Sequence, residues 1–298
     1  LRAAAFTNIS RDHLDYHVDF EDYFQAKAGL FTRVLPGDGT AVIQIDDVNA
    51  GGIVSAVRDR GQRLIRVGRG AAAEIRLTGQ QFDQTGQNIR FTHDDTAYMA
   101  RLDLIGAFQA DNALMAAGLA IGCGLEPAAA FRALDGLQTV RGRMQLVARR
   151  ANGSAVFVDY SHTSLALETA LKHLREHVLG RILVVFGAGG DRDQGKRPMM
   201  GQAAAEGADV VFVTDDNPRS EDPAAIRAAV MASCPNANEI GDRAEAILAG
   251  VDALQPGDAL LIAGKGHETG QIVGQDIFPF DDAEQASIAV AALDGLDA

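Results

Sequence analysis

The chain has 298 residues, 47% of them hydrophobic and 22% charged, which is ordinary for a globular protein and long enough for two domains. Its longest apolar runs are too short to cross a bilayer, so we expect no membrane span. The 40 acidic residues outnumber the 27 basic ones to give a net charge of −13, which excludes a general electrostatic attraction to nucleic acid.

The first half of the sequence predicts a β-α-β arrangement, an antiparallel insertion and two further helices. Apolar residues at helical spacing favour helices over 21–31 and 53–60, and short apolar runs favour strands over 41–45 and 64–67. Alternating stretches at 88–92 and 98–104 indicate an antiparallel hairpin within 74–104. Two alanine-rich helices follow, over 111–123 and 127–134.

The second half of the sequence alternates strands and helices regularly. We predict strands over 155–158, 182–186, 210–213 and 259–263, and helices near 165–176, 195–206, 223–233 and 243–253. This rhythm is typical of a parallel sheet. Because residues 140–143 interrupt the periodicity, we place a domain boundary there, with domains over 1–141 and 142–298.

Three polar loops directly follow predicted strands of the second half. They cover residues 187–193, 216–219 and 264–268. Right-handed crossovers bring the loops after parallel strands to one edge of a sheet, where open α/β proteins bind ligands. Arg219, in the sequence Asp-Asn-Pro-Arg, offers a guanidinium to a carboxylate there.

Two nucleotide-binding patterns are each incomplete within residues 187–197. Residues 190–196 have the spacing of a phosphate-binding loop up to Lys196, but Arg197 stands where a Ser or Thr hydroxyl would hold Mg²⁺. Arg192 occupies the third glycine position of a dinucleotide fingerprint, so no nicotinamide cofactor is implied. A loop that binds a carboxylate or an amine through Arg192 is favoured, and a solvated turn is the alternative.

One histidine, one lysine and two cysteines have side chains that can bind metals or react, but the surrounding sequence does not assign them to a site. His13 lies in a short run of imidazoles and carboxylates. This run suits metal or phosphate binding, and a surface turn before a helix explains it equally well. From composition alone, Lys27 is a surface lysine on a helix. Cys123 and Cys234 have neither metal-ligand nor redox spacing, so we expect buried free thiols in a reducing, cytoplasmic compartment.

Six segments, taken in order, resemble signatures of the Mur ligases of peptidoglycan synthesis, most closely those members that add the third amino acid of the peptide. Six segments in register are far more specific than any single one. They are residues 7–17, 142–144, 158–160, 189–193, 216–219 and 264–268, which read Thr-Asn-Ile-Ser-Arg-Asp-His-Leu-Asp-Tyr-His, Gly-Arg-Met, Val-Asp-Tyr, Gly-Gly-Asp-Arg-Asp, Asp-Asn-Pro-Arg and Gly-Lys-Gly-His-Glu.

This resemblance implies an α/β fold with two parts. Residues 1–141 are similar to the C-terminal half of a Mur ligase central ATPase domain. Residues 142–298 are similar to the Rossmann-like C-terminal domain, which has a mainly parallel sheet and binds the incoming amino acid. The family's UDP-sugar domain and its phosphate-binding loop correspond to sequence before Leu1, so we expect this chain to lack both.

The resemblance also implies amide bond formation that depends on ATP and Mg²⁺. In this family the side carboxylate of D-Glu in UDP-MurNAc-L-Ala-D-Glu accepts the γ-phosphoryl group, and the incoming amine attacks the acyl phosphate. By resemblance, His13 ligates Mg²⁺, and Lys27 is carbamylated by CO₂ and supports a second metal ion. Asn112 contacts the adenine, Arg143 the ATP phosphates and Asp159 the ribose hydroxyls, roles that suit an amide, a guanidinium and a carboxylate.

For the incoming amino acid, the resemblance implies a pocket for meso-diaminopimelate, which carries a second amino-acid group at the far end of its side chain. Arg219 would bind the distal carboxylate in a bidentate manner, while Asp216 and Glu268 suit the ammonium group. L-Lysine would leave the arginine unmatched. The residues of this predicted pocket are Arg192, Asp216, Asn217, Pro218, Arg219, Gly264 and Glu268.

The sequence departs from the family pattern at four positions. Gln109 stands where many members have Asn, and Ser161 stands where the usual residue is Ala. Ser164 and Leu165 replace the usual Pro-Asp pair. Without the proline and the acid, the sequence does not predict a normal start for the following helix. The role of Asp159 is not affected by these departures.

Two classes of alternative function are open at this point. The chain is compatible with a noncatalytic α/β module that binds a small ligand, or with a related ligase that adds lysine or, as in folylpolyglutamate-type enzymes, glutamate. We expect a cytoplasmic monomer that binds UDP-MurNAc-L-Ala-D-Glu and meso-diaminopimelate and has no nucleic-acid partner.

We predict that the 298-residue chain by itself gives no ATP turnover, because its sequence contains no glycine-rich loop ending in Lys-Ser or Lys-Thr. Phosphate release measured with and without diaminopimelate checks this. Release that depends on diaminopimelate would contradict the prediction.

Overall fold

The computed structural model describes residues 1–9 and 17–295 and divides into two compact units. The first unit comprises Leu1–Phe82, Gln87–Asp103 and Ala107–Leu137. The second comprises Asp83–Gly86, Leu104–Gly106 and the chain from Gln138 onward. His13 lies outside the described residues.

The first unit begins with a parallel β-α-β arrangement, as predicted. Its strands are β1 (Ala3–Phe6), β2 (Thr40–Gln44) and β3 (Arg63–Gly68), and its helices are α1 (Phe20–Gly29) and α2 (Ala50–Asp59). Strand β2 pairs in parallel with both β1 and β3. Helix α1 starts where the Asp19 side chain accepts the N–H of Asp22, and a π-helical segment, Leu30–Val34, follows it directly.

The predicted antiparallel insertion is confirmed and contains one more strand than the sequence indicated. Strands β4 (Ile75–Asp83), β5 (Gly86–His93) and β6 (Thr96–Leu102) extend the same sheet, in the order β1 to β6. Strands β5 and β6 pair antiparallel. Helices α3 (Phe108–Gly122) and α4 (Pro127–Arg132) follow, and α3 packs on β1, β2 and β3. Cys123 is exposed because it lies just past the end of α3, so the expected burial is wrong there, whereas Cys234 is buried as expected.

The second unit is built around a parallel sheet, as predicted. The sheet has the order β11-β10-β9-β12-β8-β7, and its four central strands are buried throughout or nearly so. The strands are β7 (Gln145–Arg149), β8 (Ala155–Asp159), β9 (Ile182–Phe186), β10 (Val210–Val213), β11 (Asn238–Glu239) and β12 (Ala259–Ala263). The helices are α5 (Ser164–Arg175), α6 (Lys196–Gly207), α7 (Pro223–Met231), α8 (Arg243–Asp252) and α9 (Asp282–Asp294).

Helices cover both faces of this sheet. Side chains of α5, α6 and α7, such as Leu171, Met200 and Val230, form one apolar cluster with alternate strand residues. Side chains of α8 and α9 form the other cluster with the remaining strand residues. Burial on both faces explains why these strands read as continuous apolar runs.

Side-chain caps define where the helices of the second unit begin. Thr163 accepts the N–H of Ala166 at the start of α5, so this helix begins normally although Ser164 and Leu165 replace the usual Pro-Asp pair. Asp222, Asp242 and Asp281 cap α7, α8 and α9 in the same way. Across the part of the chain that the structure describes, none of the helices has the length and apolar composition that a membrane span needs.

The sequence missed several elements of the second unit. Strand β7 pairs antiparallel at the sheet edge, and its half-buried residues give no clear alternation. A hairpin of β13 (Gly270–Val273) and β14 (Asp276–Pro279) forms a separate two-stranded sheet. Such short elements are specified by their neighbours in the fold rather than by local pattern.

A buried ion pair joins three elements of the second unit. The guanidinium of Arg243 donates to both carboxylate oxygens of Asp282 at 2.7 Å and to the carbonyl of Ala263 at 3.1 Å. Both charged side chains are 0% exposed. The pair therefore holds the starts of α8 and α9 against the end of β12.

We predict that Asp282→Asn lowers the free energy of unfolding by about 3–5 kcal/mol, because it leaves a buried guanidinium without its counter-charge. Urea unfolding followed by circular dichroism measures the loss. Glu284→Gln is the matched control, since it removes an exposed carboxylate from the same first turn of α9. Equal, small losses in both variants would show that the ion pair does not support the fold.

Candidate functional site

The loops that follow β8, β9, β10 and β12 meet at one edge of the second unit's sheet. Strand β12 lies between β8 and β9, with Ala263 opposite Asp159 and Ile262 opposite Val185. Strand β10 pairs with β9 so that Val213 lies opposite Phe186. The carboxyl ends of all four strands are therefore level, and polar loops leave from the same edge.

These loops form a cleft of about 460 Å³. Of the seven residues predicted to bind the amino acid, six line it. The seventh, Pro218, is buried and does not line the cleft. The lining residues are Tyr160, His162, Thr163, Gly187, Ala188, Gly189, Arg192, Asp193, Lys196, Asp216, Asn217, Arg219, Gly264 and Glu268.

Two glycines allow the loops to approach each other this closely. A Cβ at Gly190 would lie 1.9 Å from the carbonyl oxygen of Pro218, so no side chain fits between the two loops. Gly264 has a φ of 116° and would bring a Cβ within 2.8 Å of the Asp216 carboxylate. Pro218 therefore contributes by packing against Gly190.

Arg219 has a strained backbone and a partly anchored side chain. Its φ is 52°, a left-handed conformation that costs a non-glycine residue about 1–2 kcal/mol. Its Nη1 donates to the carbonyl of Gly190 at 2.8 Å and, at 3.4 Å, to that of Asn217. Within the described residues, Nε and Nη2 have no acceptor, so one edge of the guanidinium is available to a ligand. Strain of this kind persists where the surrounding structure fixes the backbone.

A set of polar contacts ties the loop after β9 to the loop after β10. Asp191 accepts from the Ser220 hydroxyl at 2.6 Å and from the Ser220 N–H at 3.2 Å, and these bonds lower the pKa of the Asp191 carboxyl. Glu221 accepts from the Asp191 N–H at 2.6 Å and from Arg197 at 2.8 Å. The two loops are therefore held together before any ligand binds.

Sequence reasoning missed four polar or aromatic residues of the cleft: Tyr160, His162, Thr163 and Lys196. Lys196 is half-buried, and its Nζ donates to the carbonyl of His162 at 2.8 Å. Burial lowers the pKa of Lys196, while the charges of Asp216 and Asp193 oppose that shift. The position of these residues after β8 and β9 was the available signal, since loops after parallel strands share one edge.

Charged groups of both signs line the cleft in equal number. The cations are Arg192, Lys196 and Arg219, and the anions are Asp193, Asp216 and Glu268. Such a surface is complementary to a small ligand that itself carries separated positive and negative groups.

Arg143 and Asp159 lie close to Tyr160 but have different environments. The exposed guanidinium of Arg143 lies 4.9 Å from the centre of the Tyr160 ring. The buried carboxylate of Asp159 accepts from the Met144 N–H at 2.8 Å, the Ser161 N–H at 2.9 Å and the Ser161 hydroxyl. Asp159 therefore ties the end of β8 to the segment that carries Arg143.

The first unit has a second cleft, of about 490 Å³, at the carboxyl ends of its parallel strands. Its polar and aromatic lining includes Asn112, whose Nδ2 donates to Gln109 at 3.3 Å, and Phe108, which is 40% exposed. Burial raises the pKa of Asp111, an effect that the Arg69 guanidinium, 3.0 Å away, opposes. The lining residues are Thr7, Asn8, Gln44, Asp46, Asp47, Arg69, Phe108, Asp111, Asn112 and Met115.

Of the two predicted metal-binding residues, only Lys27 lies in the described part of the chain. Lys27 is exposed, and its Nζ lies 5.4 Å from the centre of the Tyr23 ring, outside the lining of either cleft. Within residues 1–9 and 17–295, no group of three His, Cys, Asp or Glu side chains is arranged to hold a metal ion.

Several curated proteins similar to this chain share one description. UDP-N-acetylmuramoyl-L-alanyl-D-glutamate–2,6-diaminopimelate ligase of Bradyrhizobium diazoefficiens is 50% identical over 97% of this chain and 60% of its own length. The protein of the same name from Zymomonas mobilis is 49% identical with the same coverage. The chain thus spans about 60% of the length of these relatives.

Solved structures agree with the fold. A structure of a UDP-N-acetylmuramoyl-L-alanyl-D-glutamate–2,6-diaminopimelate ligase matches with a TM-score of 0.76 and 34% identity, covering 98% of this chain and 61% of that one. Mycobacterium tuberculosis folylpolyglutamate synthase complexed with ADP and AMPPCP matches with a TM-score of 0.66 and 21% identity, covering 99% and 64%. At that identity the second match shows the fold alone.

Two family models also match, the Mur ligase middle domain over residues 1–120 and the Mur ligase glutamate ligase domain over residues 142–266. The two matched segments take up most of the chain, they follow one another in the family's order, and the chain belongs to the Mur ligase family.

Proposed function

We propose that this chain is the ATP-binding and amino-acid-binding part of a ligase that joins meso-diaminopimelate to UDP-MurNAc-L-Ala-D-Glu. The domains are taken as 1–141, for the nucleotide, and 142–298, for the amino acid. The proposal is supported by relatives of 49–50% identity whose names state this activity and by the charges of the second unit's cleft. We also propose that the protein is a cytoplasmic monomer.

The observation that carries the substrate assignment is the available guanidinium edge of Arg219 in a cleft with three cations and three anions. meso-Diaminopimelate has a carboxylate and an amino group at each end, so it matches such a cleft. L-Lysine lacks the distal carboxylate and L-glutamate lacks the second amine. Either would leave a charged group of the cleft without a partner, which disfavours its binding.

In the proposed reaction, the cleft binds and orients the amine that attacks the acyl phosphate. Arg219 and Arg192 hold carboxylate groups, and Glu268 and Asp216 interact with the ammonium group at the distal end. Holding the nucleophile in one orientation removes much of the entropic cost of a reaction between two bound substrates.

ATP supplies the phosphoryl group in this proposal, and the cleft of the first unit suits its adenine. Phe108 and Met115 offer apolar surface, and the Asn112 amide can pair with a base edge. The roles of Arg143 toward the phosphates and of Asp159 toward the ribose remain predictions. The carboxylate of Asp159 already accepts three hydrogen bonds from the protein, so a ribose would have to share it.

Mg²⁺ would neutralise the phosphate oxygens when bound. Of its predicted ligands, His13 lies outside the described residues, and Lys27 would act only after carbamylation. The described residues contain no group of three His, Cys, Asp or Glu side chains arranged to hold a metal ion, and we assign no step to the metal ion here. Its ligation by His13 and by carbamylated Lys27 stays a prediction.

We predict that Arg219→Ala weakens the binding of meso-diaminopimelate about 10- to 100-fold, because charge-assisted hydrogen bonds to the distal carboxylate are lost. Isothermal titration calorimetry with meso-diaminopimelate, L-lysine and L-glutamate measures the effect. The affinity for L-lysine should change less than about twofold, since L-lysine has no distal carboxylate.

Arg149→Ala is the control for this experiment, because Arg149 is exposed on β7 and lies outside the cleft. Tighter binding of L-lysine or L-glutamate than of meso-diaminopimelate would reassign the substrate. An unchanged affinity of Arg219→Ala for meso-diaminopimelate would contradict the role of Arg219.

We predict that Asn112→Ala weakens ATP binding about 3- to 10-fold through the loss of one hydrogen bond to the adenine. Competition with a fluorescent ATP analogue measures this loss, and GTP serves as the base-specificity comparison. Asn88→Ala is the control, since Asn88 is exposed on β5 and lies outside the cleft. Equal affinities of Asn112→Ala and Asn88→Ala would argue against adenine in this cleft.

A further inference from the structure

The backbone of Arg219 is bound to strand β13. Its N–H donates to the Ile272 carbonyl at 3.1 Å, and its own carbonyl accepts from the Gly274 N–H at 2.7 Å. These two bonds lie on either side of the strained φ of Arg219. The hairpin of β13 and β14 is therefore part of what holds Arg219 in its left-handed conformation.

The carboxamide of Asn217 connects this hairpin to the cleft floor. Its Oδ1 accepts from Lys265 Nζ at 2.9 Å and from the Ile272 N–H at 2.9 Å. Its Nδ2 donates to Glu268 Oε2 at 3.0 Å. We refer to Asn217, Lys265, Glu268 and Ile272 as the Asn217 junction. Ile272 belongs both to this junction and to the pairing with Arg219.

Lys265 is a fully buried lysine beneath the cleft. It is 0% exposed and does not line the cleft, although its neighbours Gly264 and Glu268 do. Its Nζ lies 3.5 Å from Glu268 Oε2. Burial lowers the pKa of Lys265, and the charge of Asp216 opposes the shift. Burying an ammonium group is costly, and this one does not reach the cleft surface. The role of Lys265 therefore lies in its contacts within the Asn217 junction.

A second contact fastens the same hairpin to the loop. Gln271 Nε2 donates to the carbonyl of Asp216 at 2.8 Å. Three residues of the 216–219 loop, Asp216, Asn217 and Arg219, are thus bound to β13. A change at Lys265 or Gln271 is expected to reach Arg219 through β13 without removing any group that contacts a ligand.

We propose that Lys265 is a positioning residue which, through Asn217 and strand β13, fixes the Arg219 guanidinium for the carboxylate at the far end of the ligand. The inference rests on the proposed function for the identity of that ligand. Selectivity for a distal carboxylate then depends on Lys265, a side chain that does not contact the ligand.

A double-mutant cycle tests the coupling of Lys265 to Arg219. The variants are Lys265→Met, Arg219→Ala and the double variant, titrated with meso-diaminopimelate and L-lysine. We expect Lys265→Met to weaken meso-diaminopimelate binding about tenfold when Arg219 is present and less than about twofold in Arg219→Ala. L-Lysine binding should change less than about twofold. Equal losses in both backgrounds, or for both ligands, would overturn the proposal.

Hydrogen exchange tests the same coupling without any ligand. In Lys265→Met, the amides of Arg219 and Gly274 should exchange about tenfold faster, while the buried amides of β9 should not change. Gln271→Ala, which alters a half-buried side chain, should increase the exchange rates of the same two amides. This variant keeps the test valid if Lys265→Met is poorly folded. Lys172→Met, at an exposed lysine on α5, is the control.

The two experiments separate failure of the proposal from failure of the proposed function. If the parent chain does not prefer meso-diaminopimelate to L-lysine, the proposed substrate is wrong, and hydrogen exchange still decides whether Lys265 supports Arg219. Unchanged exchange at Arg219 and Gly274 in both Lys265→Met and Gln271→Ala would overturn the positioning role, whichever ligand binds.

Discussion

The insertion of strand β12 between β8 and β9 is the constraint on which the second unit depends. Parallel pairing on both sides aligns Ala263 with Asp159 and Ile262 with Val185. This alignment brings loops that are separated by about a hundred residues in sequence to one edge of the sheet. Because the strands are buried on both faces, their register is fixed by packing, and the positions of the loops follow from it.

The cleft at that edge is organised by contacts within the protein. Asp191 and Glu221 bind the loop after β9 to the loop after β10, and Asn217 binds the latter to Lys265. Charged side chains are thus held in place before a ligand arrives, which limits the entropy lost on binding. The strained conformation of Arg219 is a cost that this arrangement offsets.

The described residues divide the proposed reaction between distinct chemical environments. The first unit has a cleft with an exposed aromatic ring and an amide, which suits a base. The second has a cleft whose charges are balanced, which suits a zwitterionic amino acid. Both clefts lie at the carboxyl ends of parallel strands, where backbone N–H groups and loops are free to contact ligands.

The sequence by itself determined the second unit's alternating strands and helices, because continuous apolar runs and amphipathic spacing report burial directly. It also indicated most residues of the second cleft, since polar loops after such strands share an edge. Strands β7, β11, β13 and β14 and helix α9 were not foreseen. The contribution of Lys196 and Tyr160 to the cleft was not foreseen either. Their places depend on partners distant in sequence, and local pattern carries no record of those partners.

Only the tertiary structure decided which side chains face a ligand and which hold the others in place. The sequence predicted that all four residues of Asp-Asn-Pro-Arg belong to the pocket, yet Pro218 packs against Gly190 and most of the Asn217 carboxamide is bound by the protein. Lys265 reads as one more loop lysine but is fully buried. The sequence specifies the chemical groups, whereas burial and hydrogen-bond partners, which arise when distant segments pack, determine what each group does.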